Sequence, residues 1–161
     1  MPCPDQGTLV QLYLPRTGLP EQPPPERPDA RWAPGSGTVL LAEDDDSVRA
    51  TVKALLQDMG YDVIETADAA QALAVLERDT PIDVLLSDVM MPGDLSSTAL
   101  VAQVQARWPS VAVLLASGFV DPAQLAGADL PPDVPRLAKP FSAEQLAGAL
   151  QAALARRAGG P

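Results

Sequence analysis

From Thr38 onward, short apolar runs alternate with longer segments whose apolar residues recur every third or fourth position. The runs Val39–Ala42, Tyr61 with Asp62–Ile64, Ile82–Leu86 and Val111–Leu115 are of strand length. Between and after them the spacing predicts helices over Ser47–Met59, Ala69–Arg78, Thr98–Arg107 and Ala143–Arg157. Val48, Val52, Leu55, Leu56 and Met59 form one stripe on the first helix; Ala72, Leu73 and Leu76 do so on the second. Capping residues fall where these helices should start and stop. Asp68 precedes the second helix, Ser142 and Gln145 have capping-box spacing before the last, and Gly60 follows the first. Pro122 suits the first position of a short further helix, and a fifth strand is signalled weakly around Val134–Ala138. Nearly all-apolar strands alternating with helices predict an α/β fold: a doubly wound parallel sheet of five strands, covered on both faces by five helices.

Ligands of such folds meet the C-terminal ends of the strands. Here those ends are polar. The first strand runs into Glu43-Asp44-Asp45-Asp46, the third into Ser87-Asp88-Val89-Met90-Met91-Pro92-Gly93, the fourth into Ser117-Gly118 and the last into Lys139-Pro140-Phe141. Folding brings carboxylates, a hydroxyl and an ammonium to one edge of the sheet. Two carboxylates about 4 Å apart repel by roughly 4 kcal/mol at an effective dielectric near 20. Three of them converging call for a cation or for raised pKa values. Oxygen ligands alone favour a hard ion, and Mg²⁺ suits a site shared with phosphate. Lys139 and Ser117 are then placed for the other oxygens of a phosphoryl group, and a carboxylate is the candidate nucleophile. Each feature has a plainer reading by itself. Asp44–Asp46 can cap the first helix, Asp88 can start a loop, Ser117-Gly118 can be a turn, and Lys-Pro after a strand says little. Four such features, each after a successive strand, make separate plain explanations a poor account.

Composition narrows the chemistry further. Among 161 residues, 11 Lys and Arg face 21 Asp and Glu, for a net charge of −10. That balance argues against sequence-independent binding to nucleic acid, which needs a basic face. The chain has no histidine, which removes Ser-His and Cys-His catalysis and His-based metal sites. Its one cysteine, Cys3, excludes an intramolecular disulfide and a Cys-rich zinc site. No apolar run approaches the roughly 20 residues of a membrane span, and the N-terminus lacks the layout of a signal peptide. A soluble, cytoplasmic protein without membrane contact is expected.

Half of the 18 prolines precede Gly35. Residues 16–37 read as a Pro-rich, disordered linker, extended and solvated around Pro20-Glu21-Gln22-Pro23-Pro24-Pro25-Glu26-Arg27-Pro28. Before it stands a strand-like patch, Thr8-Leu9-Val10-Gln11-Leu12-Tyr13-Leu14, too short to fold alone.

The motifs Leu40-Leu41-Ala42-Glu43-Asp44-Asp45, Asp88-Val89-Met90-Met91-Pro92-Gly93, Ser117-Gly118 and Lys139-Pro140-Phe141 together resemble the receiver domains of two-component response regulators. The likeness covers residues 38–157, leaving 158–161 as a tail. It implies a flavodoxin-like sheet in the order 2-1-3-4-5. It also implies roles: Asp88 as phosphoacceptor, Asp44 as a direct ligand of Mg²⁺, Glu43 as a ligand through water, and the backbone carbonyl of Met90 as a further ligand. Ser117 is the implied switch hydroxyl, Lys139 the cationic contact to the phosphoryl group, and the Lys139–Pro140 bond is expected to be cis. The implied partner is a histidine kinase or a histidine phosphotransfer protein, with the downstream protein target unknown. Phosphorylation would bias a pre-existing equilibrium and change the surface around the helix near Pro122 and the fifth strand.

Three positions depart from the family pattern. Arg136 stands where a switch aromatic is usual, Ser97 replaces a glycine common after the Met-Pro turn, and Met90 offers no polar side chain to guide water onto an acyl phosphate. Residues 1–15, with Gln6-Gly7-Thr8 leading to Leu14-Pro15, resemble the last strand of the ATP-binding domain of sensor histidine kinases. Kinase end, linker and receiver in that order suggest the tail of a hybrid sensor kinase. The chain shows no Gly-rich ATP lid and no phosphorylatable histidine, so a phosphoacceptor rather than a kinase or a turnover enzyme is expected, with output through a protein contact or onward phosphotransfer. Two rival readings are an interaction module on the same fold that is not phosphorylated, and a phosphatase working through an aspartyl phosphate. The latter usually carries a carboxylate two residues after its nucleophile, where Met90 stands here.

Overall fold

The computed structural model describes residues 35–78, 80–118 and 134–158. Five strands, β1 (Thr38–Ala42), β2 (Asp62–Thr66), β3 (Val84–Asp88), β4 (Ala112–Ser117) and β5 (Arg136–Ala138), form one sheet in the order β2-β1-β3-β4-β5. Every pairing is parallel. The described helices are α1 (Asp46–Asp58), α2 (Ala69–Leu76), α3 (Ser97–Arg107) and α4 (Ala143–Ala158). The short helix anticipated at Pro122, the strand-like patch of residues 8–14 and the Pro-rich run lie outside the described residues.

The two-residue period of the strands sorts the core into two layers. Val39, Leu41, Val84, Leu86 and Leu114 face α1 and α4, packing on Val52, Leu56, Leu146 and Leu150. Leu40, Ala42, Leu85, Val113 and Leu115 face α2 and α3, packing on Ala72, Leu76, Leu100 and Val104. Each fully buried leucine contributes about 2 kcal/mol by leaving water, which is why the central strands carry almost no polar residue before their last positions.

The caps follow the sequence signals. Asp68 accepts the Gln71 amide at 2.7 Å, and Ser142 and Gln145 exchange both bonds of a capping box. Gly60 takes a left-handed φ of 92° after α1, and its amide donates to the Gln57 carbonyl at 2.9 Å.

Gly35–Gly37 are docked on the edge of the domain opposite the acidic loops. The Gly35 amide donates to the Met59 carbonyl at 2.8 Å. The Asp83 carboxylate accepts the Thr38 amide at 2.9 Å and the Arg157 guanidinium at 3.0 Å, which together hold its carboxyl below the usual carboxylate range. Gly37 has φ of 123°, and a Cβ there would lie 2.4 Å from Asp83 Oδ2. Gly37→Ala is therefore expected to destabilise the domain by about 2 kcal/mol, from left-handed strain plus the clash. Urea unfolding of the two proteins checks it; an unchanged midpoint would show that the turn relaxes freely.

Candidate functional site

Because β1, β3, β4 and β5 are neighbours and all parallel, their C-terminal ends open on one edge of the sheet. Ala42 pairs with Ser87, Asp88 with Ala116, and Ser117 with Ala138. The residues that follow or end these strands are therefore Glu43, Asp88, Ser117 and Lys139. The strand order switches between β1 and β3, since the chain adds β2 on one side of β1 and β3, β4 and β5 on the other, and the acidic cluster sits at that crevice.

Glu43, Asp44 and Asp88 each present a carboxylate oxygen within 4.8 Å of the others. Glu43 and Asp88 are nearly covered, with side chains 4% and 11% exposed, whereas Asp44 is open to solvent. Lys139 spans the two buried carboxylates, its Nζ 2.5 Å from Glu43 Oε2 and 2.5 Å from Asp88 Oδ2. Asp88 Oδ1 accepts the Met90 amide at 2.9 Å. Burial raises the Glu43 carboxyl above its ordinary value, against the pull of Lys139 and with added repulsion from Asp88. Burial works against the Lys139 charge too, yet its bonds to Asp88 and Glu43 prevail and raise its pKa. An ammonium thus supplies cationic charge that the oxygen cluster demands.

The acidic run after β1 divides its labour. Glu43 turns inward to Lys139 and Asp44 faces the cluster. Asp45 is the N-cap of α1, accepting the Ser47 and Val48 amides at 2.8 and 3.0 Å, and its carboxyl is lowered by the Ser47 hydroxyl first and then by these amides. Asp46 pairs with Arg49. The helix-cap reading of this run therefore holds for Asp45, while Asp44 joins the other two acids.

Ser117 is buried as the last residue of β4, and its carbonyl accepts the Lys139 amide at 2.7 Å, which ties the hydroxyl-bearing residue to the ammonium-bearing one. The Lys139–Pro140 bond is cis. The Met90 side chain is 61% exposed beside Asp88. Arg136 lies exposed on the edge strand β5, and Ser97 is buried at the start of α3. Arg49 escaped the sequence reading; an arginine on the first helical turn after an acidic run was the available signal.

Comparison with known proteins agrees with this geometry. Residues 39–151 match the family described as response regulator receiver domain. This chain belongs to the response regulator receiver domains. Such receivers are the phosphoacceptors of two-component signalling. The sensor kinase CckA of Brucella abortus is 33% identical over 154 residues, covering 88% of this chain; the chain spans only 16% of that kinase's length. The solved receiver domain of a hybrid histidine kinase CckA is 31% identical, with a TM-score of 0.59 over 73% of this chain and 99% of that one. A response regulator receiver domain from Clostridium thermocellum is 25% identical, with a TM-score of 0.62 over 76% and 97% of the two chains. The likeness supports the fold and order expected of a receiver, and among the described residues no helix is long and apolar enough to cross a membrane.

Proposed function

We propose that Asp88 of this receiver accepts a phosphoryl group from a phosphohistidine, with Mg²⁺, and passes the signal on by a conformational switch or by onward transfer. The observation that carries the reading is the convergence of Glu43, Asp44, Asp88 and Lys139 at the ends of adjacent strands. An Asp88 carboxylate oxygen attacks phosphorus as the phosphorus–nitrogen bond of the donor breaks, and the released imidazole takes up a proton. The Met90 amide holds Asp88 Oδ1 in place, orienting the carboxylate. Lys139 shifts its hydrogen bonds to the new phosphoryl oxygens, and the Ser117 hydroxyl gains a bond available only in that state.

The three carboxylates fit a hard divalent ion, since they are oxygen donors close enough to share one and two of them are buried. Asp44 and Asp88 would hold Mg²⁺ directly, with the Met90 carbonyl, and Glu43 through water. When bound, Mg²⁺ neutralises charge on the transferring phosphoryl oxygens. An apolar groove of about 530 Å³ runs beside Lys139, between Val48, Thr51 and Leu55 of α1 and Pro140 and Phe141. It offers the phosphodonor, a histidine kinase or phosphotransfer protein, a surface next to Asp88.

The CckA alignment takes in more of the chain than residues 38–161 supply, so it reaches into the N-terminal segment. That favours reading the chain as part of a cytoplasmic hybrid sensor kinase, and the pattern Gln6-Gly7-Thr8 to Leu14-Pro15 is the ground for taking 1–15 as the last strand of its ATP-binding domain. Incubation with acetyl phosphate and Mg²⁺, followed by intact-mass measurement, tests the function; a chain that gains no phosphoryl group would refute it and favour an unphosphorylated interaction module.

The apolar Met90 thioether beside Asp88 cannot order a water for attack on an acyl phosphate. Met90→Asn is expected to shorten the acyl-phosphate lifetime about tenfold, by giving that water a hydrogen-bond partner. Lifetimes of the two phosphorylated proteins decide it, and equal values would dismiss the role of this position.

A further inference from the structure

The proposed cation site depends on where Asp44 points, and Asp44 is exposed. One end of its turn is held by the sheet, where the Glu43 amide donates to the Thr66 carbonyl at 3.1 Å. The other hold comes from Arg49, one turn into α1. Its Nη1 donates to the Glu43 carbonyl at 2.7 Å and approaches the Asp44 carbonyl at 3.5 Å, while Nη2 pairs with the Asp46 carboxylate. The Arg49 side chain is 17% exposed, against 91% for Asp46, so the guanidinium lies against the backbone and the Asp46 carboxylate reaches it from the solvent side.

The Glu43 carbonyl and the Asp44 amide belong to one planar peptide unit. Fixing that carbonyl on the guanidinium fixes the plane and the N–Cα axis about which the Asp44 side chain turns, and the approach to the Asp44 carbonyl on the far side of that axis limits the turn. We propose that Arg49 is a positioning residue of the divalent-cation site, holding the Glu43–Asp44 peptide so that the Asp44 carboxylate joins those of Glu43 and Asp88. The inference rests on the Mg²⁺-dependent reading of the site. Arg49 has two effects on a bound cation, and they oppose one another. Its geometry favours the ion, and its charge repels it. A planar fork of donors performs the first task; any cation performs the second.

Mg²⁺ alone, titrated into the full chain and followed by amide chemical shifts, separates the two in wild type, Arg49→Lys and Arg49→Gln. Positioning predicts that both variants bind Mg²⁺ about tenfold more weakly, as loss of an outer partner of a metal ligand does. It also predicts that the ratio of Arg49→Lys to wild type is the same in low and high KCl, since the charge is kept, whereas a difference due to charge would be screened. Arg49→Lys binding like wild type, or Arg49→Gln binding as tightly or more tightly, overturns the proposal. Thermal unfolding in EDTA checks that the variants fold; loss of the fold in both would make Arg49 a structural residue and overturn it as well. If wild type itself shows no response to Mg²⁺ at Asp44 or Met90, the Mg²⁺ reading fails first. If wild type responds and the variants match it, only the role of Arg49 fails.

Discussion

Asp88→Asn is expected to lower phosphoryl uptake from acetyl phosphate at least about a thousandfold, because the amide keeps the shape of the side chain and removes the nucleophile. The amide oxygen can still accept the Met90 N–H that holds Asp88 Oδ1 at 2.9 Å. Lys139 keeps Glu43 as a partner, at 2.5 Å. The variant also relieves the repulsion that Asp88 exerts on Glu43, one of the causes that raise the Glu43 carboxyl. It should therefore fold, and a loss of uptake is then a loss of chemistry. Intact mass after incubation with Mg²⁺ and acetyl phosphate reads the result, with alkali treatment to tell linkages apart. An acyl phosphate is cleaved by brief, mild alkali, whereas an ester on the Ser117 hydroxyl survives it and is lost only by β-elimination in strong, hot base. A mass gain that persists in Asp88→Asn would move the acceptor to another residue, and its alkali stability would say which chemistry that residue uses.

Most of the fold was legible because burial on both faces leaves an unmistakable trace. A strand such as Val39–Ala42 can be apolar throughout only where helices cover both sides of the sheet, as α1 and α4 do on one face and α2 and α3 on the other. Strand ends were less legible. β3 runs over Val84–Asp88 and β4 over Ala112–Ser117, so Asp88 and Ser117 close their strands rather than follow them. Hydrophobicity stops at Leu86 and Ala116, but backbone pairing continues wherever the neighbouring strand presents its donors and acceptors, whatever the side chain. At the other end, Ile82 is buried yet precedes the strand, and the backbone bonds to the neighbouring strands begin at Asp83, whose amide donates to the Thr38 carbonyl and whose carbonyl accepts the Ala112 amide.

The site was legible as a set of strand ends and illegible as a set of contacts. Chain order alone placed Glu43, Asp88, Ser117 and Lys139 at neighbouring positions, since parallel strands share one polar edge. Which of four consecutive acids joins the cluster is decided instead by the turn geometry after β1. Asp45 is spent on the amides of α1, and Asp46 on Arg49. The docking of Gly35–Gly37 had no sequence signature either. Glycines beside a Pro-rich run read as linker, whereas the Gly35 amide on the Met59 carbonyl and the Asp62 amide on the Gly37 carbonyl already hold the chain there.

Lys139→Met is expected to destabilise the Mg²⁺-free protein by about 3 kcal/mol near neutral pH, because it leaves two nearly covered carboxylates without their shared ammonium. Methionine keeps the apolar stem, so packing changes little and the loss is electrostatic. The sign of its pH dependence follows from Glu43. Burial already raises that carboxyl from its ordinary 4.5, and Lys139 is what restrains the rise, so removing Lys139 raises it further. A carboxyl raised in the folded state binds its proton more tightly there than in the unfolded chain. Stability is then greatest below 4.5 and falls as pH climbs from 4.5 toward the raised value. The variant should accordingly lose more stability than wild type as the pH rises above 4.5, and recover part of it on acidification. Added Mg²⁺ should narrow the gap to wild type, since a divalent ion among the same oxygens replaces the missing charge. Urea unfolding across this pH range, with and without Mg²⁺, provides the measurement. A variant as stable as wild type near pH 8 would mean that water already screens Glu43 and Asp88, and that Lys139 is held at the site for the phosphoryl group alone.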